Sequence, residues 1–103
     1  MWQKSQDLAV EVYAIFSKTN DFGFRDQITR ASVSISNNIA EGYERQSNAD
    51  FKRFLYFALA SNSEVRSMLY LSERLNYTDK NKSKYYLKRP MRFQKCCMPL
   101  LNQ

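Results

Sequence analysis

The chain has 103 residues, a net charge of +6, and only two glycines and two prolines. This length suits one domain with a small core, and the scarcity of turn-forming residues excludes a β-sandwich, which needs a turn roughly every 8–12 residues. No apolar run approaches the roughly 18 residues of a membrane span, and Asp7 and Glu11 interrupt any signal-peptide core.

The first half of the chain predicts two helices joined by a short loop. Apolar residues recur at helical spacing over about residues 3–17. Asp21 and Gly23 then stand among residues that break helices. A second helix is expected over about residues 25–44, with a poorly capped start, because Arg25 occupies a position where Ser or Thr would serve better.

One face of the second helix consists of small and apolar residues, so neighbouring helices can approach its backbone closely. Asn38 lies on this seam, and its amide is expected to find partners, because an unpaired buried amide costs about 1–3 kcal/mol. The seam is formed by Ile28, Ala31, Ser32, Ile35, Ile39 and Gly42.

A third helix is expected over about residues 48–76, and it contains a turn that is apolar on every face. A helix of that kind is normally buried on all sides, which a bundle of this size cannot achieve. A neighbouring subunit is therefore the favoured partner of Phe54, Tyr56 and Phe57. The alternative is a crowded aromatic core within a monomer.

The fourth helix is expected over about residues 79–98. Pro90 removes a backbone hydrogen bond there, so we expect a kink or break nearby, and a looser last turn ending around Pro99. Ser47 is expected to cap the third helix, and Thr78 or Asp79 the fourth. The prediction is a single all-α domain over residues 1–103, an up-down antiparallel four-helix bundle.

The positive charge is concentrated in the last quarter of the chain. Residues 1–77 hold nine basic and nine acidic residues, whereas residues 78–103 hold seven basic residues against Asp79 alone, so 7 − 1 = +6. This distribution favours a polyanion-binding surface over a solvated face that only aids solubility. The candidate nucleic-acid-binding residues are Lys80, Lys82, Lys84, Lys88, Arg89, Arg92 and Lys95, with Arg53 and Arg66 of the third helix.

Catalytic signatures are missing from the sequence. It has no histidine, which is the commonest general base and metal ligand. Cys96 and Cys97 are adjacent, so they suit neither a zinc site nor a structural disulfide, and we expect free thiols in the cytoplasm. Glu41 and Glu44 form a surface pair with Arg45 rather than an acid–base dyad. We therefore expect no enzyme activity, metal or cofactor.

An ordered series of motifs runs through about residues 1–77. The motifs are Trp2-Gln3-Lys4, Phe22-Gly23-Phe24, Gln27 to Ala31, Val33-Ser34-Ile35, Asn38-Ile39-Ala40-Glu41-Gly42, Phe51-x-x-Phe54-Leu55 and Ala58-Leu59-x-Ser61-x-x-Glu64. This series resembles the four-helix-bundle proteins encoded in intervening sequences of bacterial 23S ribosomal RNA genes. That family includes the accessory variability determinant of diversity-generating retroelements.

The resemblance implies a left-handed up-down bundle that assembles into a homopentamer. It also implies a basic surface that binds RNA or DNA and, in the retroelement branch, a reverse transcriptase as partner. Asn38, Glu41 and Gly42 match signature positions, for which we expect an architectural role. Ser36 and Asn37 replace the usual Pro and Ser, so the second helix need not kink there.

Three functions are compatible with these patterns. The first is an oligomeric, non-sequence-specific nucleic-acid-binding accessory protein. The second is a protein-interaction scaffold whose basic C-terminal segment grips an acidic protein partner. The third is a peripheral membrane protein that binds anionic lipid through its basic, aromatic tail.

Overall fold

The computed structural model describes residues 1–102, which form an all-α bundle. α3 has 27 residues and is therefore about 40 Å long, close to the 43 Å long axis of the molecule, so the helices run along that axis. Helices that follow each other pack side by side, and α5 packs against both α3 and α1. The helices are α1 Trp2–Phe16, α2 Phe22–Tyr43, α3 Asn48–Arg74, α4 Lys80–Tyr86 and α5 Lys88–Leu101.

The four-helix bundle is therefore confirmed, with its fourth arm divided into α4 and α5. Across the described residues, α1 has no close backbone contact with α3, and α2 has none with α5. The two members of each pair lie diagonally opposite one another. Their solvent-facing sides consequently point in opposite directions.

α2 begins at Phe22, about three residues earlier than predicted. The expectation of a poor cap at Arg25 was wrong, because Asp21 is the N-cap and its Oδ1 accepts a hydrogen bond from the Phe24 backbone N–H at 3.1 Å. Both Asp21 and Gly23 suggest a loop when they are read as isolated breakers. Here the aspartate starts the helix and the glycine lies within its first turn.

The small-residue seam of α2 packs as the sequence predicts. Ile28 and Ile35 are fully buried, and Gly42 is buried where α2 crosses α3. A Cβ atom on Gly42 would lie only 3.2 Å from the Cβ of Phe54. The Asn38 amide donates to the Ser34 carbonyl at 2.8 Å and to the Ser34 hydroxyl at 3.0 Å, so its partners lie on its own helix.

The connection from α3 to the fourth arm is short and well capped. α3 ends at Arg74 rather than near residue 76, because Asn76 adopts a left-handed conformation with φ of 61°. Asp79 then caps α4 by accepting a hydrogen bond from the Lys82 N–H at 2.7 Å. Ser47 caps α3 in the same way through the Asp50 N–H at 3.1 Å.

The break in the fourth arm falls at Leu87, three residues before Pro90. Proline has no N–H, so the Tyr86 carbonyl loses its usual partner at residue 90. Pro90 is the third residue of α5, where the N–H would have no intrahelical partner, so the helix restarts without further loss. The predicted end near residue 98 was wrong: α5 continues through Pro99 to Leu101, which is buried in the core.

Candidate nucleic-acid interface

A row of cations follows the solvent-facing side of the fourth arm. Lys84, Lys88, Arg92 and Lys95 are all exposed and recur at steps of four, four and three residues. Leu87, at the break, keeps helical dihedral angles (φ −72°, ψ −14°), so the helical register carries across it. The row is therefore about 16 Å long at 1.5 Å per residue. Its residues are called the cation row below.

Pro90, Phe93 and Cys97 on the opposite side of α5 are buried in the core, and they fix which side of the helix faces out. Burial raises the pKa of the Cys97 thiol to about 12, which leaves it protonated and chemically quiet. Cys96, by contrast, is exposed, and both thiols are free.

The cation row has almost no intramolecular neutralisation. α4 and α5 contain no acidic residue. Among the seven basic residues of the arm, Arg89 alone forms a salt bridge within the described residues, with its Nε 2.9 Å from Oε2 of Glu11. This hydrogen bond raises the pKa of Arg89. Arg89 therefore ties α5 to α1, while the row itself remains available to an external anion.

An exposed aromatic ring lies beside the row. Tyr85 is 58% exposed, and the Nζ of Lys88 lies 5.5 Å from the centroid of its ring. The neighbouring Tyr86 packs partly against the core and contacts the Tyr85 ring edge-on, with 5.8 Å between the centroids. The ring is thus positioned by a core-anchored neighbour, and it stands among cations.

A cleft of about 200 Å³ separates α5 from α1 next to the row. Its apolar lining includes Leu8 and Phe93, and its charged lining combines Lys4, Arg89 and Arg92 with Asp7. The groove is therefore mixed in charge, because Asp7 lines it and Glu11 pairs with Arg89. Lys80 and Lys82, exposed in the first turn of α4, continue the positive surface of the row toward the other end of the arm.

The two basic residues predicted from α3 do not join this surface in the same way. The Nη1 of Arg66 donates to the side-chain oxygen of Gln94, so Arg66 cross-links α3 to α5 beneath the row. Arg53 is exposed but lies 3.6 Å from the Asp50 carboxylate and over the Phe54 ring. A count of charges along the sequence cannot reveal that a cation turns inward.

The residues predicted to serve packing or assembly divide into two groups. Gly42 and Phe54 meet at the crossing of α2 and α3, whereas Tyr56 and Phe57 are exposed by 59% and 48%. The monomer therefore does not enclose the apolar turn of α3 in a crowded aromatic core. Glu41 is exposed and pairs with Arg45 at 2.7 Å, in the manner of a surface salt bridge.

A second exposed apolar surface lies on α1, which the sequence pattern did not indicate. Val10 and Tyr13 are exposed by 70% and 55% on the side of α1 that faces away from the core. On α3, Phe57 and Leu71 are exposed on the equivalent outer side. Because α1 and α3 are diagonally opposite, these two surfaces face in opposite directions. They are called the α1 face and the α3 face below.

None of the helices within residues 1–102 is long and apolar enough to cross a membrane. The candidate functional surfaces are thus the cation row with its aromatic neighbour, and the α1 and α3 faces.

Comparisons with known proteins agree with this architecture. The structure is similar to the 1.70 Å crystal structure of a protein of unknown function from the S23 ribosomal protein family of Bacteroides thetaiotaomicron VPI-5482, with a TM-score of 0.91 and 26% sequence identity. The match covers 99% of this chain and 98% of that one. No curated protein proved similar in sequence. Residues 1–97 match the model of the 23S rRNA-intervening sequence proteins, and the chain belongs to that family.

Proposed function

We propose that this protein is a non-catalytic accessory protein that assembles into a homo-oligomer and binds RNA or DNA through its fourth arm. The observation that carries the proposal is the cation row, which is exposed, regularly spaced and without a single acidic residue on α4 or α5. Lysine and arginine in such an arrangement contact phosphates without reading sequence. The family name supports an association with ribosomal RNA genes but specifies no ligand.

The α1 and α3 faces support the oligomer. Each presents large apolar side chains to solvent, and they point away from each other. Two different surfaces on opposite sides of a subunit suit a heterologous interface, in which one face of each copy packs on the other face of the next. Such interfaces close into a ring when the rotation between neighbouring copies closes, and otherwise extend into a filament. We propose a homopentamer, the assembly that the resemblance to the accessory variability determinant implies.

That resemblance also implies a reverse transcriptase as a second partner, which we include in the proposal. Such a partner would meet a ring whose cation rows lie on the fourth arm, away from the faces used for assembly. The free thiols of Cys96 and Cys97 suit a reducing compartment, and we propose the cytoplasm.

The nucleic-acid proposal is tested by titrating labelled RNA with the protein at several salt concentrations. We expect binding at low salt. The logarithm of the association constant should fall linearly with the logarithm of the salt concentration. Replacement of Lys84, Lys88, Arg92 and Lys95 together by Gln should abolish it. The control replaces Arg30, an exposed arginine of α2 on the diagonally opposite side, and Arg45, which follows the end of α2 and pairs with Glu41, and should change little.

Absence of binding at low salt, or binding without salt dependence, would contradict the proposal. If the fourfold variant binds RNA as the unaltered protein does, the fourth arm is not the interface. A scaffold that grips an acidic protein through this segment would then be the better explanation. Flotation of the protein with anionic vesicles would support the alternative of a peripheral membrane protein.

A further inference from the structure

We infer that the fourth arm selects single-stranded nucleic acid over a duplex, with Tyr85 stacking on an unpaired base while the cation row follows the backbone. This inference rests on the proposed function, because it requires nucleic-acid binding at this surface. It adds the class of ligand and assigns the aromatic ring a role that charge alone does not give.

The Tyr85 ring is available to a ligand. It is 58% exposed, and within the described residues its hydroxyl has no hydrogen-bond partner. Tyr77, in the connection between α3 and α4, is also exposed. Its hydroxyl donates a hydrogen bond to Asp21 and so holds two parts of the fold together. Tyr85 contributes little to the fold, yet Tyr86 holds its ring at one edge. An exposed ring that is held in place can stack on a base at low entropic cost.

The cations of the fourth arm lie close to this ring. Lys84 precedes it directly, and the Lys88 ammonium lies over one face of the ring, 5.5 Å from its centroid, so a base would stack on the other face. A base stacked on Tyr85 would therefore have its own phosphates within reach of these lysines. Arg92 and Lys95 continue the line along α5, so the strand on either side of the base meets further positive charge.

The Tyr85 ring can distinguish a single strand from a duplex. Base pairing and stacking hide the faces of bases inside a duplex, so an aromatic ring on a helix surface has nothing to stack on there. Single-stranded binding proteins, by contrast, combine a basic track with aromatic platforms. The fourth arm presents one line of cations with one ring at its side, which fits a single backbone.

The test compares a labelled single-stranded RNA of mixed sequence with the same sequence in a duplex, using fluorescence anisotropy at two salt concentrations. Inorganic polyphosphate, which has phosphates and no bases, is the third ligand. Tyr85→Ala should weaken single-strand binding about 5- to 150-fold and leave polyphosphate binding unchanged. Tyr85→Phe, which keeps the ring, should retain the affinity. Tyr43→Ala, an exposed tyrosine of α2 on the diagonally opposite side, is the matched control.

Lys88→Gln should weaken the binding of all three ligands. For single strands, it should reduce the steepness with which the logarithm of the association constant falls against the logarithm of the salt concentration by about 0.7. Equal or tighter binding of the duplex, or a Tyr85→Ala variant that binds single strands normally, would overturn the inference while the proposed function stands. Loss of polyphosphate binding in Tyr85→Ala would also overturn it, since the ring would then act only through the fold. If the unaltered protein binds none of the ligands at low salt, both fail.

Discussion

Asp21 performs two tasks with one carboxylate. Its Oδ1 caps α2 through the Phe24 N–H, and its Oδ2 accepts a hydrogen bond from the Tyr77 hydroxyl at 2.7 Å. The second bond joins the α1–α2 loop to the residues that follow α3. Two connections at the same end of the bundle are thereby held together by a single side chain.

These hydrogen bonds make stability depend on pH in a defined way. The bond from Tyr77, followed by that from Phe24, lowers the pKa of Asp21 below 3.8. The contribution of Asp21 should therefore be complete above about pH 4 and be lost as the pH falls through the lowered pKa. The same bond raises the pKa of Tyr77 above 10.0, so its contribution is complete below pH 10 and lost at higher pH.

Tyr77→Phe should consequently lower the melting temperature by a similar small amount at all pH values between these limits. The difference from the unaltered protein should shrink in acid, where the Asp21 carboxylate is protonated in both. Thermal unfolding followed by circular dichroism at about pH 3, 5, 7 and 9 measures this. An unchanged melting temperature for Tyr77→Phe at neutral pH would show that the bond is not formed in solution.

Gly42 is the residue on which the closest approach of α2 and α3 depends. A methyl group there would already lie 3.2 Å from the Phe54 Cβ and 3.6 Å from the Phe51 carbonyl oxygen. Gly42→Leu should therefore reduce the free energy of unfolding by about 1–3 kcal/mol through overpacking. In Gly23→Leu, the new Cβ would be 3.7 Å from its nearest neighbour, an ordinary contact.

Urea unfolding of the two glycine variants provides the comparison. We expect a clear loss in the free energy of unfolding for Gly42→Leu and little change for Gly23→Leu. Leucine has a higher helix propensity than glycine, so propensity alone would stabilise both variants. If both lose the same free energy of unfolding, the loss does not come from the crossing of α2 and α3, and that crossing is not as tight as described.

At the scale of helices, the hydrophobic spacing was sufficient to predict every arm of the bundle and the seam of α2. The ends of the helices were less predictable, because each depends on competition between neighbouring residues. Asp21 starts α2 ahead of Arg25, and Asn76 ends α3 by adopting a left-handed conformation. Pro90 divides the fourth arm as expected, but its effect appears at Leu87, since the missing N–H belongs to a bond that reaches back one turn.

Asn62 links α3 to α5 in the fully buried core. Its Nδ2 donates to the Pro90 carbonyl at 2.9 Å, and its Oδ1 has no partner within residues 1–102. Asn62→Asp replaces the donor by a buried carboxylate facing a carbonyl oxygen. We expect a loss of at least about 3 kcal/mol in the free energy of unfolding at neutral pH.

The loss for Asn62→Asp should be smaller in acid, where a protonated carboxyl group can donate to the Pro90 carbonyl. Asn62→Leu, of similar size and without charge, is the control and should show no such pH dependence. Denaturant unfolding at about pH 4 and 7 separates the two variants. Equal losses at both pH values for Asn62→Asp would mean that the site admits water and solvates the charge.

At the scale of the whole molecule, the diagonal arrangement of the helices keeps the exposed apolar surfaces apart from the charged surface. The α1 and α3 faces are apolar and opposed, and the fourth arm between them carries the charge. The sequence already indicated the charge of the fourth arm and the apolar turn of α3, whereas the α1 face and its opposition to the α3 face are evident only in the structure. Arg66 is one of the basic residues predicted to bind nucleic acid, but its side chain is directed inward to Gln94. The exposure of Val10 becomes evident only when the arrangement of the helices is known.

A mixing experiment tests whether assembly is heterologous. Val10→Glu disables the α1 face and Phe57→Glu the α3 face, so each variant alone should be unable to close a ring. When the two variants are mixed in equal amounts, the intact α3 face of Val10→Glu can pack on the intact α1 face of Phe57→Glu. Light scattering should then detect a dimer that neither variant forms alone.

Other results of the mixing experiment would point to a different assembly. If one of the two variants alone forms a stable dimer, the interface is isologous and uses one face twice. If both variants retain the size of the unaltered protein, these faces do not mediate assembly. Val10→Gln and Phe57→Gln, which add no charge, show whether repulsion or the loss of apolar area causes the effect.

The cation row also has a cost in the unbound protein. Lys84 and Lys88, and then Lys88 and Arg92, are like charges one helical turn apart, and each such pair weakens a helix by about 0.2–0.5 kcal/mol. Salt should therefore affect folding and binding in opposite directions: it screens this repulsion and steadies the fourth arm, while it competes with a polyanion for the same residues. If the arm binds a nucleic-acid strand as proposed, the strand should relieve the repulsion as well, and the ligand would then stabilise the fold of the arm that holds it.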